Sequence, residues 1–216
     1  MRYAELEKHW QRVFELEWLS LREGSKAIAA VITDDKGNII SEGRNMTCEA
    51  VIPNPAAAHA ETEAVRALDR SRYPDKWGCV LHAGLEPCVM CMGTLVMGGI
   101  RRVEIAARDD FGGAMKLIDM FGFSRSKGIQ VSWLDNGLGD MQRAFQTLRE
   151  LLYNEDKEKL ERMMKDLSVH NKKGVEAAKK FFEDNKLTID SLSRFTAEMV
   201  FDGLADYIEE YRKERI

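Results

Sequence analysis

The chain has 216 residues, of which 44% are hydrophobic and 31% charged, so it can form one domain with a hydrophobic core and has no apolar run that could span a bilayer. The N-terminal segment is charged from Arg2 to Lys8 and lacks the pattern of a secretory signal peptide, which leads us to expect a cytoplasmic protein. The net charge of −4 argues against a surface built to hold a long polyanion.

Hydrophobic spacing predicts a helix and then a β-hairpin at the start of the chain. Apolar residues recur at helical intervals over residues 3–22, and Gly24 is typical of a helix end. Two apolar runs, Ala27–Thr33 and Ile39–Gly43, are separated by turn-forming residues and indicate a β-hairpin. We expect a loop over residues 44–58.

The middle of the chain alternates predicted helices and strands. A helix is expected from His59 to about Arg72, and a buried strand from Cys79 to Leu85. The patterns that follow predict a helix, two strands and a helix, at Cys88–Met97, Arg101–Ala107, Ile129–Leu134 and Met141–Leu152. This order predicts an α/β protein with a three-layer α/β/α fold around a central mixed sheet.

Residues 154–216 differ in character from the rest of the chain. They are highly charged and contain no convincing strand, and their apolar residues fall into three helical patterns. We therefore divide the chain into a domain of residues 1–153 and a helical extension of residues 154–216. The third predicted helix of the extension carries an apolar stripe that requires burial.

Chemistry is concentrated in two short motifs, His59-Ala60-Glu61 and Pro87-Cys88-Val89-Met90-Cys91. A C-x-x-C unit in a chain without an export signal favours metal or redox chemistry over a disulfide. His59 and Cys88 both open predicted helices, so one imidazole and two thiolates can meet at two helix starts. Three protein ligands leave a fourth tetrahedral position for water, which is typical of a catalytic zinc site.

Glu61 follows His59 by two residues, too close to be an easy fourth ligand. A carboxylate at this place can take a proton from the water and deliver it to a ring nitrogen and a leaving amine. The pattern H-x-E…P-C-x-x-C is the signature of zinc deaminases. Cys48 is a disfavoured alternative ligand. Of the remaining histidines, His82 is interpreted as a packed or surface residue, and His9 and His170 as solvated.

Beyond these motifs, residues 27–150 resemble the cytidine/deoxycytidylate deaminase superfamily. The similarity is to the branch of tRNA adenosine deaminases, bacterial guanine deaminases and fungal-type cytosine deaminases, and it rests on Leu85–Gly93, Ile100–Val103 and Ala107–Asp109. The resemblance implies that Asn45 and the backbone N–H of Ala60 bind the base, although Asn45 also suits a turn. It further implies a Zn²⁺ cofactor and a homodimer, with residues 1–153 as the zinc-dependent deaminase domain.

Three functions compete on the sequence alone. The favoured one is an aminohydrolase acting on a nucleobase, nucleoside or related heterocycle, with a purine such as guanine preferred on resemblance. The alternative is a tRNA adenosine deaminase, but residues 150–216 carry 13 Lys and Arg against 16 Asp and Glu, so no basic stripe emerges for phosphates. The third, a non-catalytic zinc-binding interaction module, is disfavoured because Glu61 is present.

Overall fold

A five-stranded mixed sheet forms the centre of the computed structural model, which describes residues 1–213. The strands lie in the order β2-β1-β3-β4-β5, and their bounds are β1 Ala29–Thr33, β2 Ile39–Arg44, β3 Val80–Leu85, β4 Arg102–Ala107 and β5 Gln130–Trp133. β1 pairs antiparallel with β2 and β3, whereas β3, β4 and β5 run parallel to one another. The predicted hairpin and the predicted mixed sheet are confirmed.

Helices cover both faces of this sheet. Their bounds are α1 Lys8–Arg22, α2 Ala60–Ala67, α3 Val89–Gly98, α4 Gly122–Arg125, α5 Leu138–Tyr153, α6 Lys157–Asp184 and α7 Ala197–Lys213. α2 and α3 pack on one face, and α1 and α5 pack on the other, which confirms the three-layer fold. Within residues 1–213, none of these helices combines the length and the apolar character needed to cross a bilayer.

The position of β1 between two hydrophobic clusters explains why its sequence is apolar throughout. Ala29 and Val31 point into the cluster beneath α1 and α5, while Ala30 and Ile32 point into the cluster beneath α2 and α3. All four side chains are fully buried. A strand that is covered on both faces needs a continuous hydrophobic run instead of an alternating one.

One predicted helix boundary is wrong. The helix expected to reach Arg72 ends at Ala67, because the Asp69 carboxylate accepts hydrogen bonds from the backbone N–H groups of Ser71 and Arg72 and forms a turn instead. The first two predicted helices of the extension are the two arms of α6, which meet at a kink where Asn171 leaves helical geometry (φ −127°, ψ 45°).

The C-terminal extension shares its core with the N-terminal helix. Phe201 and Leu204 of α7 are fully buried in the same hydrophobic cluster as Phe14 of α1. The rings of Phe14 and Phe201 meet edge to face with centroids 4.9 Å apart, and the Trp18 indole donates a hydrogen bond of 3.1 Å to the carbonyl of Phe195. The apolar stripe of the third predicted helix is therefore buried against the body of the chain.

Replacing Phe201 with alanine tests this packing. The variant leaves a cavity between α1 and α7, so its free energy of unfolding should fall by about 3–5 kcal/mol in denaturant titrations. Phe123→Ala is the matched control, since its ring is 57% exposed, and its stability should hardly change. Truncation after Tyr153 should lower stability or solubility further. Equal stabilities for the two alanine variants would refute a shared core.

Candidate active site

The two sequence motifs meet because two helices begin side by side on one face of the sheet. His59 is the N-cap residue of α2 and Cys88 is the N-cap residue of α3, and both have extended backbone conformations. α2 and α3 pack against each other over the same hydrophobic cluster. Their N-termini therefore present an imidazole and a thiol to one point.

Three ligand atoms converge there. The Cys88 Sγ lies 3.6 Å from His59 Nδ1 and 3.6 Å from Cys91 Sγ, and the three atoms all lie within 4.8 Å of one another. Zinc bonds of about 2.3 Å to sulfur and about 2.0 Å to nitrogen place tetrahedral ligand atoms about 3.5–3.8 Å apart. The two distances to Cys88 match this spacing, so the set of one nitrogen and two sulfurs suits a zinc ion.

The charges of the cluster also suit a cation. The Cys91 thiol and His59 lower the pKa of the Cys88 thiol, while the pKa of Cys91 is raised because Cys88 ionises first and because Cys91 is buried. The neighbouring Cys88 sulfur raises the pKa of His59. A metal ion binds the thiolates and the neutral imidazole and displaces their protons, so metal affinity should fall at acid pH.

Glu61 lies beside this set and outside it. Its side chain is buried, and its Oε2 is 3.3 Å from the Cys91 sulfur. Burial raises the pKa of Glu61, which brings its carboxyl group closer to the range where it exchanges protons near neutral pH. The Thr62 hydroxyl lies 3.6 Å from the Cys91 sulfur and adds a polar contact to that ligand.

Asn45 is brought next to His59 by the chain that leaves β2. Met46 follows Asn45, and Ala58 precedes His59. The N–H of Met46 donates a 3.0 Å hydrogen bond to the carbonyl of Ala58, which brings Asn45 next to His59. The Asn45 Oδ1 accepts from the backbone and hydroxyl of Thr47, which is the turn role. No hydrogen bond within residues 1–213 uses its amide Nδ2, so this donor is available to a ligand.

Ala60 occupies the first position of α2. Its N–H therefore has no partner in the helical hydrogen-bond ladder. β2 packs directly on this helix start, since a Cβ atom added to Gly43 would lie 2.2 Å from the Ala60 carbonyl oxygen. The positive end of α2 thus lies beside His59, and its free N–H can donate to a ligand.

Sequence reasoning missed two residues that hold the loop beside Cys88. The Glu86 carboxylate accepts hydrogen bonds of 3.1 Å from the backbone N–H groups of Asp109 and Met115. Arg143 is buried in α5 and donates to the carbonyl of Arg108 at 2.5 Å. The position of Glu86, directly before the Pro-Cys of the motif, is the signal that could have identified it, whereas Arg143 has no such sequence signal.

The remaining cysteines lie apart from the cluster. Cys48 is exposed and its sulfur lies 3.6 Å from the Arg149 guanidinium, so the structure does not bring it to His59. Cys79 is buried just before β3. Asp109 accepts hydrogen bonds from the N–H groups of Phe111 and Gly112 and stabilises its own loop.

A family model for the cytidine and deoxycytidylate deaminase zinc-binding region matches residues 4–107. The tRNA-specific adenosine deaminase of Bacillus subtilis is 30% identical over 131 residues, which cover 57% of this chain and 77% of the relative. The guanine deaminase of the same organism is 37% identical over 82 residues, 36% of this chain and 48% of the relative.

Solved structures agree with this similarity. The crystal structure of a mutant protein in complex with 8-azaguanine is 27% identical in sequence, with a TM-score of 0.52 over 68% of this chain and 83% of the other. The chain spans 47–64% of the length of five other curated relatives, which are named as cytosine deaminases and tRNA-specific adenosine deaminases.

Replacing Cys88 with alanine should abolish metal binding at this cluster, because it removes one of two thiolate ligands. The readout is the sulfur-to-cobalt charge-transfer absorption of protein loaded with one equivalent of Co²⁺, which requires thiolate ligands. Cys48→Ala is the matched control and should keep the absorption, since Cys48 is outside the cluster. A band of full intensity in Cys88→Ala would show that the metal binds elsewhere.

Proposed function

Because the chain belongs to the cytidine and deoxycytidylate deaminase family, we propose that it is a zinc-dependent hydrolase that releases ammonia from an aminated nucleobase or related heterocycle. The observation that carries the proposal is the buried Glu61 carboxyl group, 3.3 Å from a thiol of a convergent His59, Cys88 and Cys91 set. A purely structural zinc site has no need of such a carboxylate and uses four protein ligands.

The metal ion and Glu61 would have separate roles in the hydrolysis. When bound, zinc supplies Lewis acidity that makes a water molecule easier to deprotonate. Glu61 accepts one proton from the water as its oxygen adds to the amine-bearing ring carbon, and gives that proton to the adjacent ring nitrogen. It then takes the remaining proton from the new hydroxyl group and gives it to the departing amine. The carbon–nitrogen bond breaks, ammonia leaves, and the ring gains a carbonyl group in place of its amine.

Two hydrogen-bond donors near the start of α2 would recognise the ring. The unused Nδ2 of Asn45 and the N–H of Ala60 can donate to ring nitrogens or to a carbonyl oxygen. A guanine-like base offers both acceptor types on one edge. The similarity to a guanine deaminase and to a structure with bound 8-azaguanine supports a purine of this kind as substrate.

Deamination of adenosine in tRNA is the second candidate, and the similarity to a tRNA-specific adenosine deaminase supports it. Such an enzyme must neutralise several phosphates near the flipped base. The acidic balance of the extension and the net charge of −4 do not favour that, so the small molecule is our preferred substrate.

Ammonia release from a panel of guanine, cytosine, adenosine and tRNA tests the substrate. We expect turnover of guanine or a closely related purine, and binding to tRNA no tighter than that of an ordinary acidic protein at physiological salt. Submicromolar binding of tRNA with formation of inosine would instead establish the editing function. No ammonia from any member of the panel would favour the interaction module.

Glu61→Gln tests the proton-transfer role. The amide keeps the size of the side chain but cannot accept the proton, so turnover should fall by about 10²–10⁴-fold while the metal content is unchanged. Glu63→Gln is the matched control on the same helix, where the carboxylate is paired with Arg66, and it should keep its activity. Turnover of Glu61→Gln near the original rate would contradict the mechanism.

We also propose that a second copy of the chain covers α3. Val89, Gly93 and Met97 recur every four residues on one side of this helix, where Val89 is 63% exposed, Met97 is 75% exposed and a Cβ atom at Gly93 would meet only open space. An exposed apolar stripe of this kind is typical of an interface. Because Phe111 is 90% exposed on the loop that bridges to Cys88, the partner would lie beside the site.

Light scattering at micromolar concentration tests this interface. The protein should have twice the mass of one chain, and Met97→Lys should convert it to monomers because a charge would be buried at the contact. Met199→Lys is the matched control, since Met199 is exposed on α7, and it should remain a dimer. A monomeric parent protein, or a dimeric Met97→Lys variant, would count against the proposed interface.

A further inference from the structure

A second group of potential ligands lies on the opposite face of the sheet from the deaminase site. His82 of β3 and Glu104 of β4 are neighbours in the register of the two parallel strands, and His9 of α1 packs over them. The ligand atoms of these three residues all lie within 4.8 Å of one another. The sequence placed His9 in solvent, but its side chain is only 12% exposed.

One ring nitrogen of His9 has no hydrogen-bond partner within residues 1–213. Its Nε2 is buried, and within residues 1–213 it makes no hydrogen bond, although the exposed Glu7 carboxylate lies 3.4 Å away. A buried ring nitrogen without a partner is costly in a folded protein. Burial lowers the pKa of His9 and so favours the neutral imidazole, whose nitrogen can donate a lone pair to a metal.

His82 is held in an orientation that suits a ligand. Its Nε2 lies 2.9 Å from the Thr33 hydroxyl, and its Nδ1 lies 3.0 Å from the Glu104 carboxylate. When Nε2 carries the proton and donates it to Thr33, the Nδ1 lone pair faces Glu104. A cation bound by both Nδ1 and the carboxylate then removes the repulsion between these two acceptors.

We propose that His9, His82 and Glu104 bind a second divalent transition-metal ion of the zinc, cobalt and nickel class. Two imidazoles and one carboxylate are a ligand set that these metals accept, and Glu7 or water can complete the tetrahedron. Because His9 belongs to α1 and the other two to the sheet, the ion ties the N-terminal helix to the strands. Its role is to stabilise the fold, and it takes no part in deamination.

Metal stoichiometry tests the proposal in the full chain. Protein stripped of metal, titrated with Zn²⁺ and passed through a desalting column should hold two equivalents, and Glu104→Gln and His9→Asn should each hold one. Cys88→Ala should also hold one, and its combination with Glu104→Gln should hold none. His170→Asn is the matched control, since His170 pairs with Asp110 outside both clusters, and it should hold two.

Cobalt spectra separate the two sites. Cys88→Ala loaded with Co²⁺ should show d–d absorption without a thiolate charge-transfer band, and Glu104→Gln should keep that band. The absence of any cobalt spectrum in Cys88→Ala, a single equivalent in the parent protein, or two equivalents in Glu104→Gln would overturn the second site. Zinc should also raise the melting temperature of Cys88→Ala and leave that of the double variant unchanged.

Discussion

The packing of two helix N-termini on one face of the sheet is the constraint on which the candidate site depends. His59 and Cys88 can bind the same metal ion only if α2 and α3 begin at the same edge of the sheet. β2 fixes the first helix by direct backbone contact at Gly43, and β3 delivers the second through Pro87. Because the backbone places His59 and Cys88 at the two helix starts, no large rearrangement of side chains is needed to bring the ligands together.

Local sequence patterns predicted most elements of the fold because each pattern is satisfied within a few residues. The hairpin and the two motif-bearing helix starts need only turn chemistry, periodicity and capping. The kink at Asn171 was not predictable in this way, since its amide reaches the Asp140 carboxylate on α5. Burial of Phe201 against Phe14 likewise joins residues that are far apart in the chain.

In the candidate site, too, the residues within local motifs were predicted and those that depend on distant contacts were missed. The motif spacing predicted His59, Glu61 and the two cysteines, and the structure brings all of them together. The residues that hold the neighbouring loop were missed because their partners are distant in the chain. Glu86 accepts from N–H groups more than twenty residues away, and Arg143 donates to the carbonyl of Arg108. A backbone partner at such a distance is not visible in a local pattern of residue types, although the place of Glu86 directly before the Pro-Cys of the motif is a signal.

The loop after β4 is the route by which the extension can influence the site. α6 and α7 pack on the face of α1 and α5, away from His59 and Cys88. Their contact with the loop is made at His170, whose Nε2 lies 2.8 Å from the Asp110 carboxylate. This pair is largely exposed and contributes little stability by itself. Glu86 and Arg143, both on the core, therefore set the position of the loop, and the extension serves mainly to cover the apolar surfaces of α1 and α5.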